Sequence, residues 1–304
     1  MHRSLSDDDK TSVSLVLGSG GARGLAHIGV IHELLANGYV IRSISGCSMG
    51  ALVGGIFAAG KMDEFEQWVR AITKVNIVSL LDISWQGQGL VKGDKIIETL
   101  VELVGERMIE DLPIPFTAVA ADVQREKEVW INSGRLFDAI RASMSLPLFF
   151  TPVNYKDRYL IDGGVLNPVP IAPTFNDETD LTIAVNLGGP LEIPSAFERN
   201  QKPADAKTSP MRKSISKFVE KLQSSAEKSS AKSWKTHDVA DQAFDAMQST
   251  IARLKLAAYP PDINIEIARN ACGTLEFNRA DEMIELGRKK ARECLSNAEG
   301  NRHN

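Results

Sequence analysis

The sequence predicts an α/β fold around a mostly parallel sheet, and three observations carry that prediction. Short apolar runs stopped by glycines, such as SVSLVL at Ser12–Leu17, read as buried strands. Segments with apolar residues at helical spacing follow the glycine turns. The order strand, turn, helix then repeats, which is the rhythm of parallel strands joined by crossover helices. At 304 residues, 43% hydrophobic and 24% charged, the chain is long enough for one large α/β domain or two small ones.

Each element follows from its own pattern. After the first strand, Gly18–Gly24 (GSGGARG) is a turn, and Leu25–Asn37 is a helix with Leu25, Ile28, Ile31, Leu34 and Leu35 in helical register. Gly38 suits its stop. Ile41–Ser45 is a second strand and Met49–Ala59 a second helix, followed by helices at Glu64–Val75 and Asp94–Met108. Phe116–Ala121 and Glu128–Ile131 read as strands, and Leu136–Ala142 as a helix. MSLPLFFTPV is a proline-punctuated loop, and Tyr159–Ile161 a short strand entering a turn at Asp162-Gly163-Gly164. Leu181–Leu187 is another buried strand. Ile263–Ile267 and Arg279–Leu295 are the last strand and helix, with a further helix at Val239–Ala257.

Residues 190–237 break the rhythm. They are rich in Ser, Lys and Gln and locally basic, so they read as an excursion from the domain or a loop. Within them, Ile215, Phe218, Val219 and Leu222 share one helical face beside Arg212, Lys213, Lys217 and Lys221. Residues 211–222 are therefore a candidate basic amphipathic helix for peripheral contact with anionic lipid. The expected organisation is a polar tail at 1–11, a single domain at 12–295 carrying this excursion, and a tail at 296–304.

Bulk properties exclude other classes. A net charge of −4 gives no basic surface for nucleic acid. Cys47, Cys272 and Cys294 are odd in number and widely spaced, which argues against a disulfide framework or a structural metal site and fits a reducing compartment. No secretory signal is visible. The longest uncharged run, Ser43–Gly60, falls short of the roughly 20 residues of a membrane span. The expected location is cytoplasmic, peripheral to the membrane, with no metal or cofactor.

Chemistry concentrates in two glycine-rich turns and one acid. Gly46-Cys47-Ser48-Met49-Gly50 is a G-x-S-x-G between a strand and a helix. In that context the serine sits on a tight turn, and Gly46 and Gly50 let neighbouring backbones pass. The helix that follows aims its amides and positive dipole end at Ser48. Cys47 is a rival nucleophile, but it sits off the apex of the turn. The turn at Gly18–Gly24 offers backbone N–H groups to an anion. It fits a dinucleotide fingerprint poorly, because Arg23 stands where the third glycine belongs. Arg23 is free to brace the loop or attract a phosphate. The five histidines, His2, His27, His32, His237 and His303, include none at a strand-end turn after Ser48, so a Ser-His-Asp triad is poorly supported. Asp162, at a strand end before two glycines, is the better-placed base; partial burial would raise its pKa from about 3.9.

GSGGARGLAHIGV, GCSMG, RASMSLPLFFTPV and IDGG occur in that order over Val13–Asn167, and together they resemble the patatin-like phospholipase family. Within it the chain is similar to bacterial stand-alone proteins related to neuropathy target esterase. The resemblance implies a three-layer α/β/α sandwich and a hydrolase of acyl esters of phospholipids, lysophospholipids or simpler lipids. It implies Ser48 as nucleophile and Asp162 as the dyad base. It also implies an oxyanion hole at Gly20, Gly21 and the neighbouring amides of Ala22 and Arg23. Ser19 breaks the family's glycine triplet, which leaves open which amides do the work. Two alternatives stand beside this reading: a serine acyltransferase, against which the lack of a suitably placed histidine counts, and a non-catalytic lipid-binding protein, against which the intact Ser48 and Asp162 count.

Overall fold

A computed structural model describes residues 10–72, 93–147, 149–192 and 236–302. Its strands are β1 (Ser12–Leu17), β2 (Val40–Cys47), β3 (Phe116–Asp122), β4 (Lys127–Ile131), β5 (Val153–Tyr155), β6 (Arg158–Asp162), β7 (Leu181–Gly189) and β8 (Ile263–Ala268). Its α-helices are α1 (Ala26–Ala36), α2 (Met49–Ala58), α3 (Met62–Ala71), α4 (Asp94–Val104), α5 (Leu136–Ser143), α6 (Thr236–Ala258) and α7 (Ala280–Arg302).

The strands form one sheet in the order β5-β6-β3-β2-β1-β7-β8, with β4 also on β3. The centre is parallel: β1 pairs with β2 and β7, β2 with β3, and β7 with β8. The β3–β4, β3–β6 and β5–β6 pairs are antiparallel. The central strands are apolar throughout because both of their faces are covered. Val13, Leu15 and Leu17 join one core with α1 and α7, whereas Val16 and Ala184 face the other way, into a cluster with Val169, Ile171 and Ala252 of α6. Alternation along the strand thus serves two helical layers, giving the α/β/α sandwich.

The register places the chemistry. Along β3, Ala118 and Val119 pair with β4 and also with Gly46 and Cys47 of β2, so β2 and β4 lie on opposite edges. Ala120 and Ala121 pair with β4 and also with Asp162 and Ile161 of β6. One edge of β3 is therefore shared: β2 occupies it up to Cys47, and β6 takes over at Asp162. The residue after Cys47 and the last residue of β6 meet where one strand leaves and the other arrives. Asp162 reaches the carboxyl edge of β2 and β3 on an antiparallel strand, a direction the sequence pattern left open.

Other differences have local causes. The helix expected over 94–108 ends at Val104, because Gly105 at φ 82° breaks it, and Met108 bridges to Arg135 instead. β5 begins at Val153, the last residue of the segment read as a loop; its partner is the next strand, so the pairing is a hairpin with three paired residues on each arm. The last helix continues past 295 to Arg302, through residues read as a tail. The chain divides into two units, residues 1–191 with 244–304 and residues 192–243. Residues 193–235, with the amphipathic stretch 211–222, lie outside the described residues, as do 1–9 and 73–75.

Where β2 passes into α2 the backbones touch. A Cβ on Gly50 would lie 2.0 Å from the Leu17 carbonyl oxygen, and one on Gly46 would lie 2.5 Å from the Gly50 carbonyl oxygen. Neither neighbour is a side chain that can swing away. Gly50→Ala should therefore destabilise by about 2 kcal/mol or more, at the upper end of overpacking costs. Urea unfolding checks this, and a midpoint unchanged from the parent would contradict it.

Candidate active site

Ser48 sits at the N-cap of α2 with φ 55° and ψ −122°, a conformation that costs a non-glycine residue about 1–3 kcal/mol. It is held there by its neighbours. Its amide donates to Ser143 Oγ at 2.9 Å, and Leu52 N–H donates to its carbonyl at 3.1 Å. The first amides of α2 have no intrahelical acceptor and face the serine's side of the turn with the positive end of the helix dipole. Ser48 therefore lies in the strand–turn–helix setting that a G-x-S-x-G nucleophile elbow requires.

Asp162 is fully buried. Its Oδ1 accepts from Gly164 N–H at 2.8 Å and faces the Cys47 thiol at 3.7 Å. Its Oδ2 is buried and has no hydrogen-bond partner among the described residues. Burial raises its pKa from 3.8 to about 6, against the opposing influence of the Ser48 hydroxyl, the Gly164 amide and the Cys47 thiol. The Ser48 hydroxyl thus lies near enough to favour the carboxylate, yet no hydrogen bond reaches Oδ2. The glycines after Asp162 are needed for fit: a Cβ on Gly163 would lie 2.2 Å from Val119 O.

The glycine loop lies against the elbow, with Gly24 so close that a Cβ there would be 2.3 Å from Met49 Cβ. Its amides divide into two sets. Gly18 donates to Val185 O, Ser19 to Pro168 O and Ala22 to Thr274 O. Among the described residues the Gly20 and Gly21 amides, at the start of the 3-10 turn Gly21–Leu25, have no such acceptor. The Arg23 side chain is buried and turned away to the C-terminal part of the chain. It donates to Arg269 O at 2.9 Å and pairs with Asp245 at 3.5 Å, so it braces the loop. Ser19 Oγ accepts from Gln248 of α6 at 3.4 Å.

The neighbouring titratable groups are otherwise engaged. His27 is buried, and its Nε2 carries the proton donated to Gly18 O at 2.8 Å. Desolvation lowers its pKa to about 4, so it is a neutral pin for the loop. His32 is held between Glu66 and Arg288. Burial and Asp162 push the Cys47 thiol well up, away from a reactive thiolate. Among the described residues no cluster of His, Cys, Asp and Glu is placed to hold a metal.

Beside Ser48 opens a cavity of about 100 Å³ lined by Leu52, Phe65, Trp68, Leu100, Met144 and Phe277, among others. Sequence reading missed this cavity, since its walls come from α2, α3, α4, the residues after α5 and the segment just before α7, and each wall residue scans as ordinary core. It also missed Ser143 and Thr274. No helix among the described residues is long and apolar enough to cross a membrane.

Comparison with known proteins matches this architecture. A family model described as patatin-like phospholipase matches residues 15–175. An uncharacterised NTE family protein of Mycobacterium tuberculosis is 38% identical, over 93% of this chain and 91% of its own length. A second such protein from that species is 30% identical over 93% of this chain and 46% of its own. The neuropathy target esterase sws of Drosophila melanogaster is 31% identical over 58% of this chain and 13% of its own. With the family match covering more than half of the residues and close relatives spanning nearly all of them, the chain belongs to the patatin-like phospholipases, a family whose membership supports lipid ester hydrolysis in general.

Proposed function

We propose that this protein is a serine acyl hydrolase that cleaves carboxylic esters of lipids, of phospholipase A, lysophospholipase or esterase type, through a dyad of Ser48 and Asp162. The observation that carries the reading is the buried, unpartnered Oδ2 of Asp162 beside the hydroxyl of a strained elbow serine, next to an apolar cavity. An unpaired buried carboxylate oxygen is expensive, and proton transfer from a serine is a use that offsets the expense.

An acyl chain enters the apolar cavity and sets its ester carbonyl over Ser48. Ser48 Oγ bonds to the carbonyl carbon as its proton passes to Asp162 Oδ2. The carbonyl oxygen becomes an oxyanion held by the Gly20 and Gly21 amides, with the dipole of α2 adding to the field. The intermediate collapses, the C–O bond breaks, and Asp162 returns its proton to the leaving alcohol. Water then attacks the acyl-serine, giving up a proton to Asp162, and the fatty acid departs with Ser48 reprotonated. A carboxyl near 6 is suited to this shuttle, because it is ionised at neutral pH yet more basic than an exposed aspartate.

Two measurements test the reading. On a panel of lysophospholipid, phospholipid and short-chain esters, Ser48→Ala and Asp162→Asn should each lower kcat by about 10³-fold or more, and the double variant should lose little beyond either. A folded Asp162→Asn enzyme with near-normal turnover would remove the dyad. The second measurement is pH dependence. The base must be ionised, so kcat/KM should rise with pH through about 6 and then level off. Stability should run the opposite way. With a folded pKa raised above 3.8, the contribution of Asp162 is fully present below that value and is lost as pH rises through about 6. The loss amounts to about 3 kcal/mol. Asp162→Asn should therefore be more stable than the parent at pH 8, with the difference shrinking towards pH 4; a gap independent of pH would contradict this.

A further inference from the structure

In a parallel pair the rungs are evenly spaced and recur every second residue. Between β2 and β3 they begin with Ile44 N–H donating to Pro115 O at 2.9 Å. Two steps of two residues along both strands bring the ladder to Ser48 N–H and Val119 O. That rung is not made directly. Ser48 N–H donates to Ser143 Oγ at 2.9 Å, and Ser143 Oγ donates to Val119 O at 2.6 Å. The hydroxyl of a fully buried serine is thus inserted into the last rung of the ladder.

We propose that Ser143 is a positioning residue for the nucleophile: its hydroxyl wedges β2 away from β3 at Ser48 while keeping both backbone groups paired. It rests on the reading of Ser48 as nucleophile. The insertion solves two problems at one point. Ser48 must leave the sheet to take its positive φ, and its amide, being buried, must not go unpaired. A hydroxyl both accepts and donates, so it can join an N–H to a C=O, which no aliphatic side chain can do. The next residue of β3 on the same edge, Ala120, receives Asp162. The wedge therefore also sets how far Ser48 stands from the oxygen that takes its proton. Ser143 comes from the C-terminal end of α5, whose side chains Leu136 and Ile140 lie against Gly55 of α2, so the wedge is backed by packed helices.

The test compares Ser143→Thr with Ser143→Val. Both add a methyl group to the same closed site, so their overpacking is alike, and only threonine keeps the hydroxyl. Thermal melts and circular dichroism establish the folded fraction, and Ser48→Ala serves as the control for the chemistry. With a soluble ester, Ser143→Thr should keep a kcat at least about tenfold above that of Ser143→Val, with KM of the two within about twofold, as expected when orientation rather than binding is lost. Ser143→Ala should resemble Ser143→Val in kcat. Equal kcat per folded molecule for the Thr and Val variants would overturn the wedge while leaving the dyad standing. Unchanged turnover in Ser48→Ala would instead overturn the reading on which the wedge rests.

Discussion

The structure around Ser48 and Asp162 depends on a single constraint: one edge of β3 serves two strands in succession. β2 runs parallel to it and departs after Cys47, and β6 arrives antiparallel and pairs from Asp162. A strand edge can hydrogen-bond only one partner at each position, so the departure of β2 is the condition for the arrival of β6. The turn that carries Ser48 and the turn that carries Asp162 are brought together by main-chain register, not by the side chains themselves. The glycines at positions 46, 50 and 163 follow from the same crowding, since each stands where a neighbouring carbonyl passes too close for a Cβ.

Around that junction the protein keeps groups in states that a merely stable fold would avoid. Ser48 has a positive φ, and Asp162 has a buried oxygen without a partner. Both are unfavourable on their own, and both are surrounded by devices that remove every alternative. Oδ1 of Asp162 is occupied by the Gly164 amide, the Cys47 thiol is kept protonated, and His27 is spent on the Gly18 carbonyl. Among the described residues the Asp162 Oδ2 atom has no hydrogen-bond partner, and the Ser48 hydroxyl lies beside that carboxyl. Strain and burial of this kind persist where the surrounding structure over-determines them.

The parallel core was legible in the sequence because buried strands and crossover helices leave strong local patterns. Ser12–Leu17 was bounded to the residue, and the G-x-S-x-G fell between a strand and a helix as read. Ser48 and Asp162 could be singled out because glycines flank them, and the structure brings the two turns to one place. Less legible were features that depend on contacts distant in sequence. β6 runs antiparallel to β3, a pairing between segments well separated in the chain, and its other partner β5 is too short to carry a period. The buried role of Arg23 depends on Asp245 and Arg269, more than 220 residues away. Ser143 gave no signal, since a serine at the end of an apolar helix face reads as any small polar residue. The division of labour among the loop amides depends on Thr274, which nothing local to the loop announces.

The central claim is that Ser48 is nucleophilic because Asp162 accepts its proton. Covalent capture tests it most directly. After brief exposure to a fluorophosphonate ester at pH 8, intact-mass analysis should find one adduct per chain, and peptide mapping should place it on Ser48. Asp162→Asn, folded by circular dichroism, should acquire the adduct at least about 10²-fold more slowly, as expected on losing a general base. An adduct at any other residue, or labelling of Asp162→Asn at the parent rate, would contradict the account.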